Sequence, residues 1–487
     1  MGRKTQIVIG LTVALLITGG VSAAAELSPI EELGKLLFFE KGLSNPPGQS
    51  CASCHDPGVG WTGPDSATNL SKGVYEGAVH TRYGNRKPPA SAYAGFNPLL
   101  HQCGDMMGGG GMGGGGMGGG GMGGGGMGGG GMGGGGMGGG GMGGGGMGGM
   151  SCNSGDFVGG MFWDGRASGW VLGDPLAEQA MGPFLNPLEQ NNPNARHLCL
   201  QVRKAGYENL FEQVWGEKSL DCVKDVTGTY QRIGKSVAAY ERSAEVNPFS
   251  SKFDAFWKNS LGKMPPVQNI NGMNWSKFKN RGLDEAELKG LALFNSKGKC
   301  STCHIIMPMR GSQAPLLTDF RYHNLGMPKN PDNPFYSMPK QWNPQGEAWI
   351  DQGLGGFLAK TAGMTDLYGN PRDYVQNATL NYGKHKTPSL RNVDKRPTSD
   401  FVKAYGHNGY FKSLQEIVHF YNLRDVLPPC SSADPPKDPM GGATCFPAPE
   451  VGTDIDRVNM GNLGLTPPEG MALMKFLQTL SDGYSQP

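Results

Sequence analysis

The chain has 487 residues, among them 83 glycines, and carries a formal net charge of +2 at pH 7. This length exceeds what one ordinary hydrophobic core supports, so we expect two domains. A charge so close to zero does not imply the cationic surface typical of proteins that bind nucleic acid, so we expect no nucleic-acid partner.

Residues 1–25 have the composition of a signal peptide for export. Arg3 and Lys4 precede an apolar run from Ile7 to Leu16, and small residues follow before position 26. The apolar run is too short to remain as a membrane anchor. We therefore expect an exported, periplasmic protein with no membrane span after cleavage of the signal.

A cysteine–histidine motif follows the first predicted helix. Apolar residues recur at helical spacing from Ile30 to Phe39, and Cys51, Cys54 and His55 then form a C-x-x-C-H motif. Two thiols at this spacing can add to the two vinyl groups of one haem, and the adjacent histidine then binds its iron. A C-x-x-C pair alone also fits a redox dithiol or half of a zinc site. The histidine, the export signal and a second copy of the motif favour covalent haem c.

Residues 104–150 consist almost entirely of glycine and methionine, with a five-residue repeat between Met107 and Met147. Glycine loses much chain entropy on ordering and isolated methionines bury little surface, so the composition predicts a flexible loop. Cys103 and Cys152 flank the loop and are candidates for tying its base. The repeat is either an expansion tolerated at an exposed loop or a set of thioethers that bind Cu(I) or absorb stray oxidant.

The second motif, Cys300, Cys303 and His304, has the same spacing as the first. A helical pattern over 283–294 precedes it, and an amphipathic segment over 469–480 closes the chain. These patterns predict a mainly α fold with two cytochrome c-like domains, each with one covalent haem, and loop-rich insertions. The expected limits are residues 26–249 for the N-terminal domain, which includes the Gly/Met loop, and residues 250–487 for the C-terminal domain.

The cysteines outside the two motifs form an even set of six, which in an oxidising compartment indicates disulfides. Pairing of neighbours is the simplest arrangement, because each bond then closes a local loop. The resulting pairs are 103–152, 199–222 and 430–445. Six cysteines allow about 15 connectivities, and free buried thiols are the alternative to disulfides.

Beyond the haem motifs, several segments have specific sequences. They are Leu33-Gly34 to Phe38-Phe39, Phe162-Trp163-Asp164-Gly165-Arg166, Glu178 to Glu189, Tyr240-Glu241-Arg242, Pro388 to Val393, Gly406-His407-Asn408-Gly409 and Ser413 to Tyr421. Together with the motifs, they resemble the di-haem bacterial cytochrome c peroxidase and MauG family. The resemblance covers nearly the whole chain after the signal, outside the Gly/Met loop. The combination is highly specific, whereas any one segment alone would be a weak match.

The resemblance implies that the haem at His55 is the site of reaction with hydrogen peroxide. Glu189 matches the family's distal glutamate, which acts as acid and base in O–O cleavage, and Gln179 matches its companion. Trp163 matches the tryptophan between the haems, where an indole can relay an electron. Without the resemblance, Glu189 would be interpreted as a solvated turn residue and Trp163 as a core residue.

The second haem needs an axial ligand opposite His304. At the matching position the peroxidases have methionine and MauG has tyrosine, and this chain has Tyr421. A tyrosinate ligand favours the ferric state, whereas methionine raises the reduction potential. The alternative interpretation is that Tyr421 is an ordinary half-buried helix residue.

The chain departs from the family at positions that affect metal binding. His80 lies one place from the family's distal histidine, so it is either the sixth ligand of the first iron or an ordinary loop histidine. The resemblance also implies Ca²⁺ between the domains, although Lys87 stands where an asparagine carbonyl would bind. His407, in the Gly-His-Asn-Gly turn, is expected to be structural.

The resemblance implies an oxidoreductase with two covalently bound haem c groups that uses hydrogen peroxide as oxidant. Its electrons come either from a small cytochrome c or cupredoxin, or from a protein substrate as in MauG, and Tyr421 favours the second version. The competing hypothesis is a non-catalytic di-haem electron-transfer cytochrome. Glu189 and Gln179 argue against it, because a carrier has no use for an acid above the iron.

Overall fold

The computed structural model describes residues 26–104, 155–430 and 442–485, and they form a mainly helical fold. The helices are α1 (Pro29–Phe39), α2 (Ser66–Ser71), α3 (Pro175–Leu185), α4 (Ala195–Lys204), α5 (Glu208–Trp215), α6 (Val226–Arg242), α7 (Lys252–Ser260), α8 (Glu285–Asn295), α9 (Gly353–Leu358), α10 (Leu414–Leu423) and α11 (Pro467–Gln478). There are two antiparallel pairs of two-residue strands. In one, β1 (His101–Gln102) pairs with β2 (Phe157–Val158), and in the other, β3 (Tyr322–His323) pairs with β4 (His385–Lys386). Long loops connect these elements.

The helix before the first motif, α1, packs on α6. It begins with Pro29 after Ser28, whose side chain forms a capping box with Glu31. A Cβ atom at Gly34 would lie 1.9 Å from the carbonyl oxygen of Ser236 on α6, so only glycine allows this close crossing. The apolar face of α1 is thereby buried against α6, and α3 packs on the same helix. This arrangement fixes the chain that leads into Cys51.

The helix before the second motif, α8, repeats this construction against α11. Asp284 and Glu287 form its capping box, and a Cβ atom at Gly290 would lie 2.0 Å from the carbonyl oxygen of Ala472. Leu291 and Phe294 are buried in the resulting contact. Each cysteine–histidine motif is therefore preceded by a helix that contains a glycine. This glycine allows the helix to pack closely against a later helix.

The helices predicted over 30–39, 283–294 and 469–480 are confirmed as α1, α8 and α11. Disulfides join Cys199 to Cys222 and Cys430 to Cys445, as the pairing of neighbours predicts. Cys103 is also disulfide-bonded. Cys152, the signal peptide and the Gly/Met loop beyond Gly104 lie outside the described residues.

The two domain limits remain a prediction, because the large buried cluster contains residues from both halves, including Leu37 and Phe476. Among the described residues, no helix is long and apolar enough to cross a membrane.

Candidate functional site: two cysteine–histidine cavities

The first motif forms a tight turn that presents its histidine to a cavity. His55 donates its backbone N–H to the carbonyl of Cys51 at 3.0 Å, and its Nδ1 donates to the carbonyl of Trp61 at 3.2 Å. Burial lowers the pKa of His55 to about 4, so the imidazole is neutral. With Nδ1 occupied, Nε2 is the nitrogen that can bind a metal.

The second motif has the same geometry. The backbone N–H of His304 donates to the carbonyl of Cys300 at 2.9 Å, and Nδ1 donates to the carbonyl of Leu317 at 2.9 Å. Burial lowers the pKa of His304 below its ordinary value. All four motif cysteines are free thiols, so both sites keep the groups required for covalent haem attachment.

The first cavity, defined by Cys51, Cys54 and His55, encloses about 990 Å³ including its open mouth. Gln179 from α3 and Glu189 also line it. Glu189 follows the end of α3, where its backbone N–H donates to the carbonyl of Asn186 at 3.0 Å. The fold thus brings the predicted glutamate and glutamine to the same cavity as the first motif.

The charge on Glu189 depends on burial and on one arginine. Burial raises the pKa of Glu189 above its ordinary value, although the charge of Arg166 and a hydrogen bond from Asn186 act against this shift. Arg166 lines the first cavity, stacks on Phe162 at 3.8 Å and pairs with Asp164 at 2.9 Å. Sequence reasoning assigned no role to Arg166, although it ends the Phe-Trp-Asp-Gly-Arg segment.

Glu241 on α6 is a second carboxyl group on the first cavity that sequence reasoning also missed. It is 3% exposed, and its Oε2 has no hydrogen-bond partner among the described residues. Burial raises the pKa of Glu241 to about 7. Its position within the Tyr-Glu-Arg segment was the only signal in the sequence.

Trp163 lies on both cavities and is 8% exposed. Its indole N–H donates to the carbonyl of Lys87 at 2.8 Å, and its carbonyl accepts from the N–H of Lys386 at 2.9 Å. Two hydrogen bonds to different parts of the chain therefore fix the tryptophan between the two motifs.

The second cavity, defined by Cys300, Cys303 and His304, also contains Tyr421 from α10. Burial raises the pKa of Tyr421 above its ordinary value, and the neighbouring motif cysteines act in the same direction. The apolar side chains around it include Val418, Leu465 and Leu473. Tyr421, the residue predicted to lie opposite His304, thus lines the same cavity as His304.

His80 does not line either cavity. Its side chain is 90% exposed, and its Nδ1 lies 3.1 Å from Oε2 of Glu76. The loop is tied to Glu76 a second time, because the N–H of Thr81 donates to Oε1 at 2.6 Å. The structure therefore places His80 on an exposed loop, away from both cavities, and its role as a sixth ligand of the first iron stays a prediction.

The position of Lys87 does not suit calcium. Its ammonium donates to Oγ1 of Thr62 and to its neighbouring carbonyl at Pro88, both at 3.0 Å. A divalent cation beside this buried positive charge would be repelled. The expected structural role of His407 agrees with its environment, since its ring is buried and stacks on His385 with centroids 3.5 Å apart.

Comparisons with known proteins agree with this arrangement. Residues 28–261 match the family model for di-haem cytochrome c peroxidase. The chain is 26% identical over 459 residues to the methylamine utilization protein MauG of Paracoccus denitrificans (strain Pd 1222), covering 93% of this chain and 89% of that protein. It is 24% identical over 398 residues to the cytochrome-c peroxidase IdrP1 of Pseudomonas sp. (strain SCT), covering 80% of this chain and 71% of that protein.

Two solved structures are similar in fold. The diheme peroxidase BthA from Burkholderia thailandensis E264 gives a TM-score of 0.60 at 24% identity, covering 94% of this chain and 90% of that chain. A MauG-like protein associated with microbial copper homeostasis gives a TM-score of 0.51 at 18% identity, covering 94% and 91%. At these identities, the likeness is one of fold.

Proposed function

This chain belongs to the di-haem cytochrome c peroxidase and MauG family, and on that premise we propose that it is a di-haem enzyme that reduces hydrogen peroxide at the first cavity. One observation carries the proposal: Trp163, Gln179 and Glu189, which follow the first motif at a distance in the chain, line the same cavity as Cys51, Cys54 and His55. The Glu189 carboxyl group and the Gln179 amide on this cavity have no use in a protein that only carries electrons.

The free thiols in each motif would hold one haem, and Nε2 of His55 or His304 would bind its iron. The bound haem would supply an iron that exchanges electrons with peroxide. Overall, one peroxide, two protons and two electrons give two waters. The protein must therefore deliver protons at the first cavity and electrons across the molecule.

Glu189 is the residue proposed to move the proton. Its carboxylate takes a proton from one peroxide oxygen and donates it to the other, which leaves as water. The raised pKa suits this task, because the group must both accept and release a proton near neutral pH. The Gln179 amide lines the same cavity and can hold the peroxide by a hydrogen bond.

Trp163 is proposed to connect the two haem sites for electron transfer. Its indole borders both cavities and is held rigidly from both sides. At the second site, Tyr421 would act as the ligand opposite His304 and would favour the ferric state. The second site would then hold an oxidising equivalent and would not itself receive peroxide.

The electron source has two proposed forms, a small redox protein such as a cytochrome c or cupredoxin, or a protein substrate. Tyr421 favours the second form, because its ligation would stabilise the oxidised second site. The predicted signal peptide at 1–25 supports a periplasmic location.

The test is a steady-state assay with hydrogen peroxide and a reduced small cytochrome c. Rapid oxidation of the cytochrome supports the first electron source, whereas slow donor oxidation with a rapid optical change of the protein on adding peroxide supports a protein substrate. Absence of both donor oxidation and any optical change would contradict the proposed function and leave only an electron carrier.

A further inference from the structure

Four lysines line the second cavity, and the proposed mechanism uses none of them. Lys299 is exposed, whereas Lys87 and Lys386 are half-buried and Lys403 is buried. Among the described residues, none of these ammonium groups forms an ion pair. Asp394 and Asp319 act on Lys403 and Lys386 only from beyond ion-pair distance. Three lysine amino groups without counter-ions therefore border one space.

Lys87 and Lys403 lie close enough to affect each other. Nζ of Lys403 donates to the carbonyls of Asn392 at 2.7 Å and Lys395 at 3.1 Å, and its pKa is well below the ordinary value because of burial and the charge of Lys87. Burial also lowers the pKa of Lys87 to about 8. Each ammonium uses two of its three N–H groups on neutral oxygens, which leaves one donor to offer.

The ammonium of Lys386 has fewer polar partners than those of Lys87 and Lys403. Its Nζ is shielded from solvent, has no hydrogen-bond partner and lies 4.9 Å from the centre of the Phe320 ring. Burial lowers its pKa to about 7. An ammonium that is shielded from solvent and has no partner destabilises the fold, so the site favours an anion in the cavity.

The haems of the proposed function carry suitable anions. Each haem has two propionate carboxylates on the edge opposite the vinyl groups that bond to the cysteines. We propose that Lys87, Lys403 and Lys386 bind these propionates on the two sides of Trp163. This inference rests on the proposed function, since it requires covalent haem at both motifs.

The lysines are divided between the two haems by their positions. Lys87 lines both cavities, and its charge helps to lower the pKa of His55, which places it on the His55 side. Lys403 lines only the second cavity, but its Nζ would lie 3.3 Å from a Cβ atom at Gly60, which follows the first motif closely, and the charge of Lys87 acts on it. Lys386 lies in β4, where it pairs with Tyr322 of β3, and its Nζ lies beside Phe320. Phe320 follows Leu317, whose carbonyl accepts from Nδ1 of His304. A fixed positive charge beside a propionate favours the reduced haem, so each lysine raises the reduction potential of the haem it serves.

The experiment measures the reduction potential of each haem in the purified holoprotein by spectroelectrochemical titration. The variants are Lys87→Met, Lys403→Met and Lys386→Met, with Lys→Gln and Lys→Arg at each position. Lys360→Met, which removes an exposed lysine, is the matched control. Haem content is measured by the pyridine haemochrome spectrum, and folding by thermal unfolding. If a methionine variant does not fold, the glutamine variant at that position gives the decisive comparison.

We expect Lys87→Met and Lys403→Met to lower mainly the potential of the His55 haem, and Lys386→Met to lower mainly that of the His304 haem. The arginine variants should remain near wild type because they keep the charge. Neutral variants with full haem content and potentials equal to those of Lys360→Met would overturn the inference. A wild-type protein without two covalent haems would instead overturn the proposed function.

Discussion

The two cysteine–histidine sites are alike on the side that holds the haem and different on the side that faces it. At both, a glycine-mediated helix contact precedes the motif, and a backbone carbonyl binds Nδ1 of the histidine. The first cavity then presents Glu189 and Gln179, whereas in the second cavity Tyr421 lies among aliphatic side chains such as Val418 and Leu465. This difference indicates that haem attachment and reaction with peroxide are separate properties, each determined by different parts of the chain.

The largest expected effect comes from removing the carboxylate that distinguishes the first site. Glu189→Gln should lower the peroxide-dependent rate by about 10²–10⁴-fold, because the amide cannot carry a proton between the peroxide oxygens. The rate of optical change after mixing with peroxide measures this effect.

The control for this variant is Glu217→Gln, at an exposed glutamate that lines neither cavity. It should keep the wild-type rate, and both variants should bind two haems. A Glu189→Gln protein with an unchanged rate would remove the proposed chemical difference between the sites.

The connection between the sites is tested by Trp163→Phe. Peroxide should still react at the first site, but the optical change of the second haem should be slower, since the indole that borders both cavities is lost. Stopped-flow spectroscopy at the two haem signals separates these steps.

Trp170→Phe is the matched control for Trp163→Phe. Trp170 is also buried, and its indole N–H also donates to a backbone carbonyl, that of Leu100 at 2.8 Å. Both variants should lose about 1–3 kcal/mol of stability from the unpaired carbonyl, but only Trp163→Phe should slow the second haem. If the optical change of the second haem had the same rate in the two variants, Trp163 would be only a core residue with no role in electron transfer.

At the second site, Tyr421→Phe should raise the reduction potential of the His304 haem and change its spin state, because the proposed phenolate ligand is lost. Tyr368→Phe, at a tyrosine that is 79% exposed, is the control. An unchanged spectrum and potential in Tyr421→Phe would show that the tyrosine only packs in the core. Another residue would then have to be the proposed second ligand of the His304 haem.

The smallest effect is expected at His80. Because this side chain is exposed and, among the residues that the structure describes, binds only Glu76, His80→Ala should change stability by no more than about 0.5 kcal/mol. The ferric spectrum and the peroxide rate should also stay as in wild type. A new high-spin signal in the variant would show that His80 reaches the first iron in solution.

Local features of the fold were predictable from the sequence. Both motifs, the helices α1, α8 and α11, and the disulfides at Cys199 and Cys430 follow from spacing within short stretches. Glu189, Gln179 and Trp163 required the family resemblance, because nothing in their immediate neighbours indicates which cavity they share.

Features that depend on distant contacts could not be predicted. Lys403 is 316 positions from Lys87 in the chain, yet the charge of Lys87 acts on it across the space between the motifs. Glu241 lies within a recognisable segment, but its burial is set by the packing of α6. The outward position of His80 depends on the hydrogen bonds from its loop to Glu76, which the sequence does not reveal.

The most direct test of the difference between the two sites is the EPR spectrum of the ferric holoprotein before and after one equivalent of hydrogen peroxide. An open first site beneath Glu189 and a second site closed by Tyr421 predict one high-spin and one low-spin signal. Peroxide should rapidly remove the high-spin signal in wild type and only slowly in Glu189→Gln. Two low-spin signals that peroxide leaves unchanged would contradict the account.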